Sequence, residues 1–426
     1  MSLTIMGVFF ATALLGAPLA WALGFGAVAG VLASGFDLNV LPSRMMNAVN
    51  AFPLMSIPFF VLAGELMMRA GIMERIIALA NTCIGQVRGG LAHVTVLAGM
   101  GLSTVSGAAV ADASALGATM QKPLEQHYGK GFAAAVIAAS ANLGPIIPPS
   151  GAMIVYAFMA GSSVSVGGLF LAGVLPGLLL VGLMMAMCSI MARRLGLKPT
   201  GAAFTWPAFL AELRRSFIVL MMPVVVIGGI IGGAFTATEG SAVAVVYALL
   251  VGFLVTRQLT WHGLVESIGA TIITTAVVGA MIAFASAVTY MLTIDLFPQQ
   301  LAAFLKGIAR DPLAFNLLVA LVLVVVGCFL ESNAAYIMLV PLLHPIALEY
   351  GLDPLHFGFL FVLNLVIGML TPPVGVVLFV VCGVAKISVG EISRHIWPFV
   401  AVMYGLLLVC MLFPGLVLWL PRMAGY

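Results

Sequence analysis

Serine, threonine and asparagine side chains gather at two places in this sequence, each followed at a distance by a proline pair and a glycine. In the first, Ser103, Thr104 and Ser106 of "STVSGAA" come before "NLGPIIPPSGAMIVYAFMAG", residues 142–161, which holds Pro145, Pro148 and Pro149 within five positions. In the second, Ser332 and Asn333 of "FLESNAA" come before "NLVIGMLTPPVGVVLFVVCG", residues 364–383. Proline removes a backbone donor and clashes with the preceding turn, so each apolar segment must open at its proline pair. An opened helix exposes carbonyl oxygens at the end of its first half and N–H groups at the start of its second. The carbonyls can replace the water of a small cation, and the positive helix end favours an anion. Hydroxyl, amide and carbonyl oxygens together suit a hard cation. The plainer reading, in which proline and glycine only kink packed helices, fits one such motif as well. It fits two at matched positions, each with a polar neighbour, less well.

The surroundings of these motifs are lipid-like. Of 426 residues 63% are hydrophobic and 7% charged, and the mean hydropathy is +1.22. Soluble domains carry about 25% charged residues, so a large water-facing surface is excluded. A net charge of +3 without a long basic run does not point to nucleic acid. The five cysteines are scattered singly through apolar segments and read as small buried hydrophobes, with no disulfide framework or metal spacing. The N-terminus lacks a basic leader and a cleavage site, and reads as a retained first helix.

Apolar segments fall at 2–17, 19–34, 53–70, 91–120, 131–160, 165–194, 216–234, 238–257, 267–293, 312–348, 355–383 and 396–420. Stretches 71–90 and 295–311 mix charge with apolar residues and suggest helices lying at the interface. The two halves repeat. Gly144 matches Gly368, Pro148-Pro149 matches Pro372-Pro373, and Gly151 matches Gly375, all at an offset of 224. "STVSGAA" matches "FLESNAA" at 226, and "GAPLAWALGFGAVAGVL" resembles "GAFTATEGSAVAVVYALL". The expected organisation is a first repeat over 1–200, an amphipathic connector over 201–215 and a second repeat over 216–426.

If 91–120 and 312–348 are re-entrant hairpins, each half has five crossings. An odd number inverts the second half relative to the first. Following the chain, 13 of the 17 Lys and Arg fall on one side and Arg44, Lys306, Arg310 and Arg422 on the other. The positive-inside rule makes the first side cytoplasmic and puts both termini outside. The expected fold is therefore an all-α polytopic membrane protein of two inverted repeats, with hairpins at 91–120 and 312–348 and broken helices at 131–160 and 355–383. Inverted repeats with matched broken helices point to a secondary transporter. Segment 2–17 is short for a spanning helix, which needs about 20 residues.

The stretches "LSTVSGAAVADASALGATM", "NLGPIIPPSGAMIVYAFMAG", "FTATEGSA" and "LTPPVGVVLFVVCGVA" together resemble the large membrane subunit of tripartite ATP-independent periplasmic (TRAP) transporters, over essentially the whole chain. The resemblance implies sodium-driven import of an organic anion, usually a carboxylate, by an elevator motion across a bacterial inner membrane. It also implies two partners, a small four-helix membrane subunit and a soluble periplasmic substrate-binding protein. Its sodium sites carry over to Ser103, Ser106, Asn142, Gly144 and Pro148, and to Ser332, Asn333, Gly368, Thr371 and Pro373. Thr104, Gly107, Ser150 and Glu331, at the same tips and breaks, are the candidates for touching the anion. Gly107 departs from the pattern by lacking a hydroxyl.

Charges at membrane depth are by default functional hypotheses. Glu65 and Arg69 read as an i,i+4 pair, and Glu239 of "TATEG" reads as a helix cap. Asp112 either tunes a site or caps a local turn. Glu331 either raises cation affinity or braces its hairpin. The absence of His-Glu-x-x-His, Gly-x-Ser-x-Gly and Walker-type patterns argues against an enzyme or an ATPase. The remaining alternative is a stand-alone sodium- or proton-coupled carboxylate symporter of the same architecture.

Overall fold

The computed structural model describes residues 1–196 and 204–426, and every regular element among them is helical. The first part of the chain forms α1 (Ser2–Leu14), α2 (Leu19–Ser34), α3 (Val40–Val49), α4 (Ser56–Arg69), α5 (Ile72–Ile84), α6 (Gly90–Ser106), α7 (Ala109–Tyr128), α8 (Lys130–Ala141), α9 (Gly151–Ala160) and α10 (Val166–Arg194). The second forms α11 (Trp206–Ile231), α12 (Ala237–Leu250), α13 (Trp261–Ile294), α14 (Phe297–Ile308), α15 (Pro312–Phe329), α16 (Ser332–Glu349), α17 (Pro354–Gly368), α18 (Val376–Ala385), α19 (Val389–Leu412) and α20 (Gly415–Met423). Among the described residues, seven helical stretches are long and apolar enough to cross a membrane: 52–69, 166–194, 206–231, 237–256, 261–294, 312–329 and 389–412. α1 is not among them. Its 13 residues span roughly 20 Å at 1.5 Å each, against a hydrocarbon core of about 30 Å.

Local chemistry explains several helix starts. Asp311 and Asp353 cap α15 and α17, each followed by a proline in the first turn, where no N–H is required. Ser165, Thr260 and Ser388 cap α10, α13 and α19. Thr236 and Glu239 form a reciprocal capping box on α12, as the sequence suggested for Glu239. Both broken segments open at the proline pairs, between α8 and α9 and between α17 and α18. The Pro148–Pro149 and Pro372–Pro373 peptide bonds are cis.

Some boundaries differ from the sequence reading. Residues 197–203, which include the end of the first expected repeat and the start of the connector, lie outside the described residues. Trp206–Arg215, expected as connector, is continuous with α11, with Pro207 in the first turn where proline is tolerated. The final crossing, expected over 396–420, is α19. Phe413 leaves helical geometry ahead of Pro414, as a residue preceding proline tends to do, and α20 is a separate short helix. Arg69 pairs with the Glu266 carboxylate of α13 and not with Glu65. Arg69 ends α4 beside α13, so its long side chain reaches an acceptor at the surface and keeps its charge in water.

Packing is reciprocal between the halves. α12 lies along α4 and α2 along α13; α18 packs on α7 and α16 on α9; α8 packs on α6 and α17 on α15. α8 is buried on every face from Gly131 to Ala141 and is largely alanine, which lets neighbouring backbones approach closely. The amide of Asn142 donates to Val366 O at 2.7 Å, tying one break to the helix before the other.

Candidate functional site

Each hairpin tip meets a helix break. The first tip, between α6 and α7, turns at Gly107 with φ +62°, a left-handed conformation that favours glycine. A Cβ at Gly107 would lie 2.7 Å from Pro149 O and 3.1 Å from Gly151 N, so the tip rests directly on the break. The missing hydroxyl is explained: no side chain fits there. The second tip runs through Leu330 and Glu331. Its arm is pinned to the second break by Gly375 N–H donating to Cys328 O at 2.9 Å. Gly327 and Gly368 cross in backbone contact, since a Cβ on Gly368 would stand 2.6 Å from the Gly327 Cα.

Behind the first tip sits a carboxylate whose role the sequence left open. Asp112 lies in the first turn of α7, is fully buried, and accepts the Ser106 hydroxyl on Oδ1. Its Oδ2 has no hydrogen-bond partner and faces Gly144 so closely that a Cβ there would be 2.5 Å away. Asn142 Oδ1, also fully buried, is likewise without a partner. Orphaned buried oxygens are costly and rare, so Asp112 Oδ2 and Asn142 Oδ1 have spare capacity for a cation at the first tip and break, as does Asn364 Oδ1 of α17 in the second half.

A cleft of about 780 Å³, counting its open mouth, lies between the tips. Ser106, Gly107, Glu331, Ser332 and Asn333 line it, as do Pro145, Pro149 and Gly151 of the first break and Met369 of the second. The opposite wall comes from Ile57, Phe60 and Val61 of α4 and Thr274 and Val278 of α13. Nothing in the sequence singled out that wall, because apart from Thr274 it consists of ordinary apolar residues at helical spacing.

Other candidates lie outside the cleft. The Ser103 and Thr104 hydroxyls donate to Gly99 O and Gly101 O, both at 2.7 Å, within their own helix. Ser150 donates to Pro145 O at 2.6 Å and caps α9 by accepting from Met153 N. The Thr371 hydroxyl donates to Ile367 O at 2.8 Å and lies 3.3 Å from the Tyr404 hydroxyl. Gly144, Pro148, Gly368 and Pro373 belong to the breaks but do not line the cleft. Glu331 proves to be a cap: its carboxylate accepts from Asn333 N at 2.9 Å, Ala334 N at 3.3 Å and Asn333 Nδ2 at 3.0 Å, starting α16. Among the described residues no three His, Cys, Asp or Glu side chains converge as a metal cluster would require.

Comparison with known proteins adds to this geometry. The family described as "Tripartite ATP-independent periplasmic transporter, DctM component" matches residues 6–416. The sialic acid TRAP transporter large permease protein SiaM of Vibrio cholerae is 38% identical over 99% of this chain and 98% of its own. The isethionate TRAP transporter permease protein DctMQ of Oleidesulfovibrio alaskensis is 34% identical over 97% of this chain and 65% of its own longer one. In fold, the chain is similar to the YdaH transporter of Alcanivorax borkumensis, with a TM-score of 0.67 and 14% identity over 90% of each chain. The curated relatives are transporter permeases and not enzymes, and together with the long apolar helices of this chain they mark a multi-pass membrane protein. The family resemblance carried by the four motifs is borne out: the chain belongs to the DctM-component family of tripartite ATP-independent periplasmic transporters.

Proposed function

We propose that this protein is the large permease of a sodium-coupled importer of an organic anion. A periplasmic binding protein delivers the anion at the outer face of a bacterial inner membrane, and a small membrane subunit completes the assembly. The observation that carries this reading is the convergence of both hairpin tips on one cleft, each tip resting on its own helix break. Relatives named for sialic acid and isethionate support an organic anion as cargo.

The residues at hand fit sodium as the co-transported ion. A hard cation takes oxygen ligands; the first tip supplies the orphaned Asp112 Oδ2, and the first break supplies Asn142 Oδ1 together with the carbonyls freed around Gly144 and Pro148. At the second break, carbonyls freed around Gly368, with Thr371, Ser332 and Asn333 nearby, form the corresponding set. Ion binding at each tip would hold that tip against its break and so shape the cleft for the anion.

The reciprocal packing of the halves supports inverted repeats, and the division of the cleft wall suggests which body moves. On this reading the hairpins and broken helices slide as a unit against α4 and α13, carrying the anion in an elevator motion, with both termini outside. Gly64 of α4 suits such a contact, since its Cβ position lies 3.1 Å from the Ser106 Cα. Large and small subunits in liposomes, given a sodium gradient, should transport cargo only when the cognate binding protein is added. Robust uptake of free cargo without it would favour a stand-alone symporter. Uptake indifferent to sodium would end the coupling proposal.

A further inference from the structure

We infer that the cargo of this cleft is a small monoanion with an apolar tail, and neither a dianion nor a polyhydroxylated acid. The inference rests on the import reading above and narrows it to a substrate class.

Charge comes first. Among the described residues lining the cleft there is no Lys, Arg or His, and the single charged side chain is Glu331. The two hairpin tips are electrostatically unlike. α16 begins at an N-terminus already occupied by the Glu331 carboxylate. α7, 20 residues long, begins at Ala108 with no side-chain cap, and Gly107, Ala108, Ala109 and Val110 face the cleft. A helix N-terminus with free N–H groups favours an anion. Asp112 is in the same turn but does not line the cleft; its orphaned oxygen is turned to Gly144, where a bound cation would offset it. The cleft thus offers one position for a carboxylate, at the first tip. A second negative charge would meet Glu331 with no cation to receive it, and in a partly dehydrated site that repulsion amounts to at least about tenfold in affinity.

Hydrogen-bonding capacity comes second. The Ser106 hydroxyl is given to Asp112, and the Ser332 hydroxyl and one N–H of the Asn333 amide are given to Glu331 at 3.2 and 3.0 Å, which leaves the other Asn333 N–H and its Oδ1. Thr274 is the lining hydroxyl left without a partner among the described residues. A sugar acid would bury several hydroxyls with only Thr274 and the rest of the Asn333 amide to pair them, which is costly. The facing wall of Ile57, Phe60, Val61 and Val278 instead accepts a short hydrocarbon. One carboxylate, one polar substituent at most and a short aliphatic tail is the complement of this inventory.

The test uses the full chain, co-purified with its small membrane partner in lipid nanodiscs, with 3-methylbutanoate, succinate and gluconate as millimolar probes. Thermal stabilisation is read in sodium chloride and in choline chloride. In sodium, 3-methylbutanoate should stabilise, with succinate and gluconate at least tenfold weaker. Glu331→Gln should close the gap between succinate and 3-methylbutanoate by about tenfold; if loss of the cap prevents folding, Thr274→Lys adds the missing cation from the opposite wall and should do the same. Succinate or gluconate binding as well as 3-methylbutanoate in the unaltered protein, or no response to any of the three, overturns the inference. Binding of 3-methylbutanoate equal in choline and sodium would refute the sodium reading while leaving the monoanion preference standing.

Discussion

Gly144→Ala isolates the contact between the first break and Asp112. The added Cβ would lie 2.5 Å from Asp112 Oδ2 and 3.2 Å from Ala108 N. To restore an ordinary 3.4 Å contact the carboxylate oxygen must retreat by about 0.9 Å. Retreat is hindered, because Asp112 is fully buried and its other oxygen holds the Ser106 hydroxyl. Overpacking of this kind costs roughly 1–3 kcal/mol. If Asp112 Oδ2 helps to hold sodium, most of that cost falls on the bound state, and half-saturating sodium should rise about five- to 150-fold. The assay is the sodium dependence of the melting temperature of the purified protein at constant ionic strength, since a ligand that binds only the native state stabilises it by mass action. Gly182→Ala, where the Cβ meets nothing within 4 Å, is the matched control and should leave sodium binding unchanged. Asp112→Ala should remove most sodium stabilisation by itself, and Gly144→Ala added to it should cost little more, because the clashing atom is gone. A folded Gly144→Ala protein with unchanged sodium affinity would refute the assignment of Asp112 to the ion.

Three further predictions concern other parts of the molecule. Single cysteines near Arg88 and Arg214 should resist an impermeant thiol reagent in intact cells while one near Lys306 is labelled; labelling at all three would break the inverted-repeat topology. The Tyr156 hydroxyl is 2.8 Å from His344 Nδ1, and His344 Nε2 is 2.9 Å from the Ser163 hydroxyl, so Tyr156→Phe should destabilise by about 1–3 kcal/mol by leaving a buried nitrogen unpaired. Adding His344→Leu should recover part of that loss in a thermal melt, and an additive second loss would count against the pairing. Just past the end of α13, the Ser2 hydroxyl and amide donate to Asp295 and hold its carboxyl below the usual aspartate range. A carboxyl with a lowered folded value stabilises fully above the unfolded value and loses that contribution as pH falls through the folded one. The melting difference between the unaltered protein and Asp295→Asn should therefore be constant near neutrality and shrink on acidification below about pH 4; a difference that grows instead would show the sign to be wrong.

Much of this molecule can be read from local chemistry. The paired prolines at Pro148-Pro149 and Pro372-Pro373, each close to glycine, mark both breaks locally, whereas single prolines such as Pro176, Pro223 and Pro398 sit inside continuous helices; the cap at Glu239 is likewise a local reading. Hydropathy specifies membrane helices, and the four motifs specify the family. What depends on distant chain segments was not readable in this way. Glu65 and Arg69 are correctly spaced for an i,i+4 pair, yet Arg69 turns to Glu266, 197 residues away, because only packing puts α13 within reach. Asp112 looked equally like a cap and a ligand; its orphaned oxygen is visible only once Gly144 is brought against it. Glu331 could have faced the cleft freely, but the start of α16 engages its carboxylate. The wall from α4 and α13 consists of common apolar residues, and its meaning comes from what faces it. Residue type decides where a chain must open, cap or enter lipid, because those events are settled within a few bonds. Which oxygens are left unpaired, and which charges face one cleft, is settled by tertiary contact, because each depends on atoms that no local pattern records.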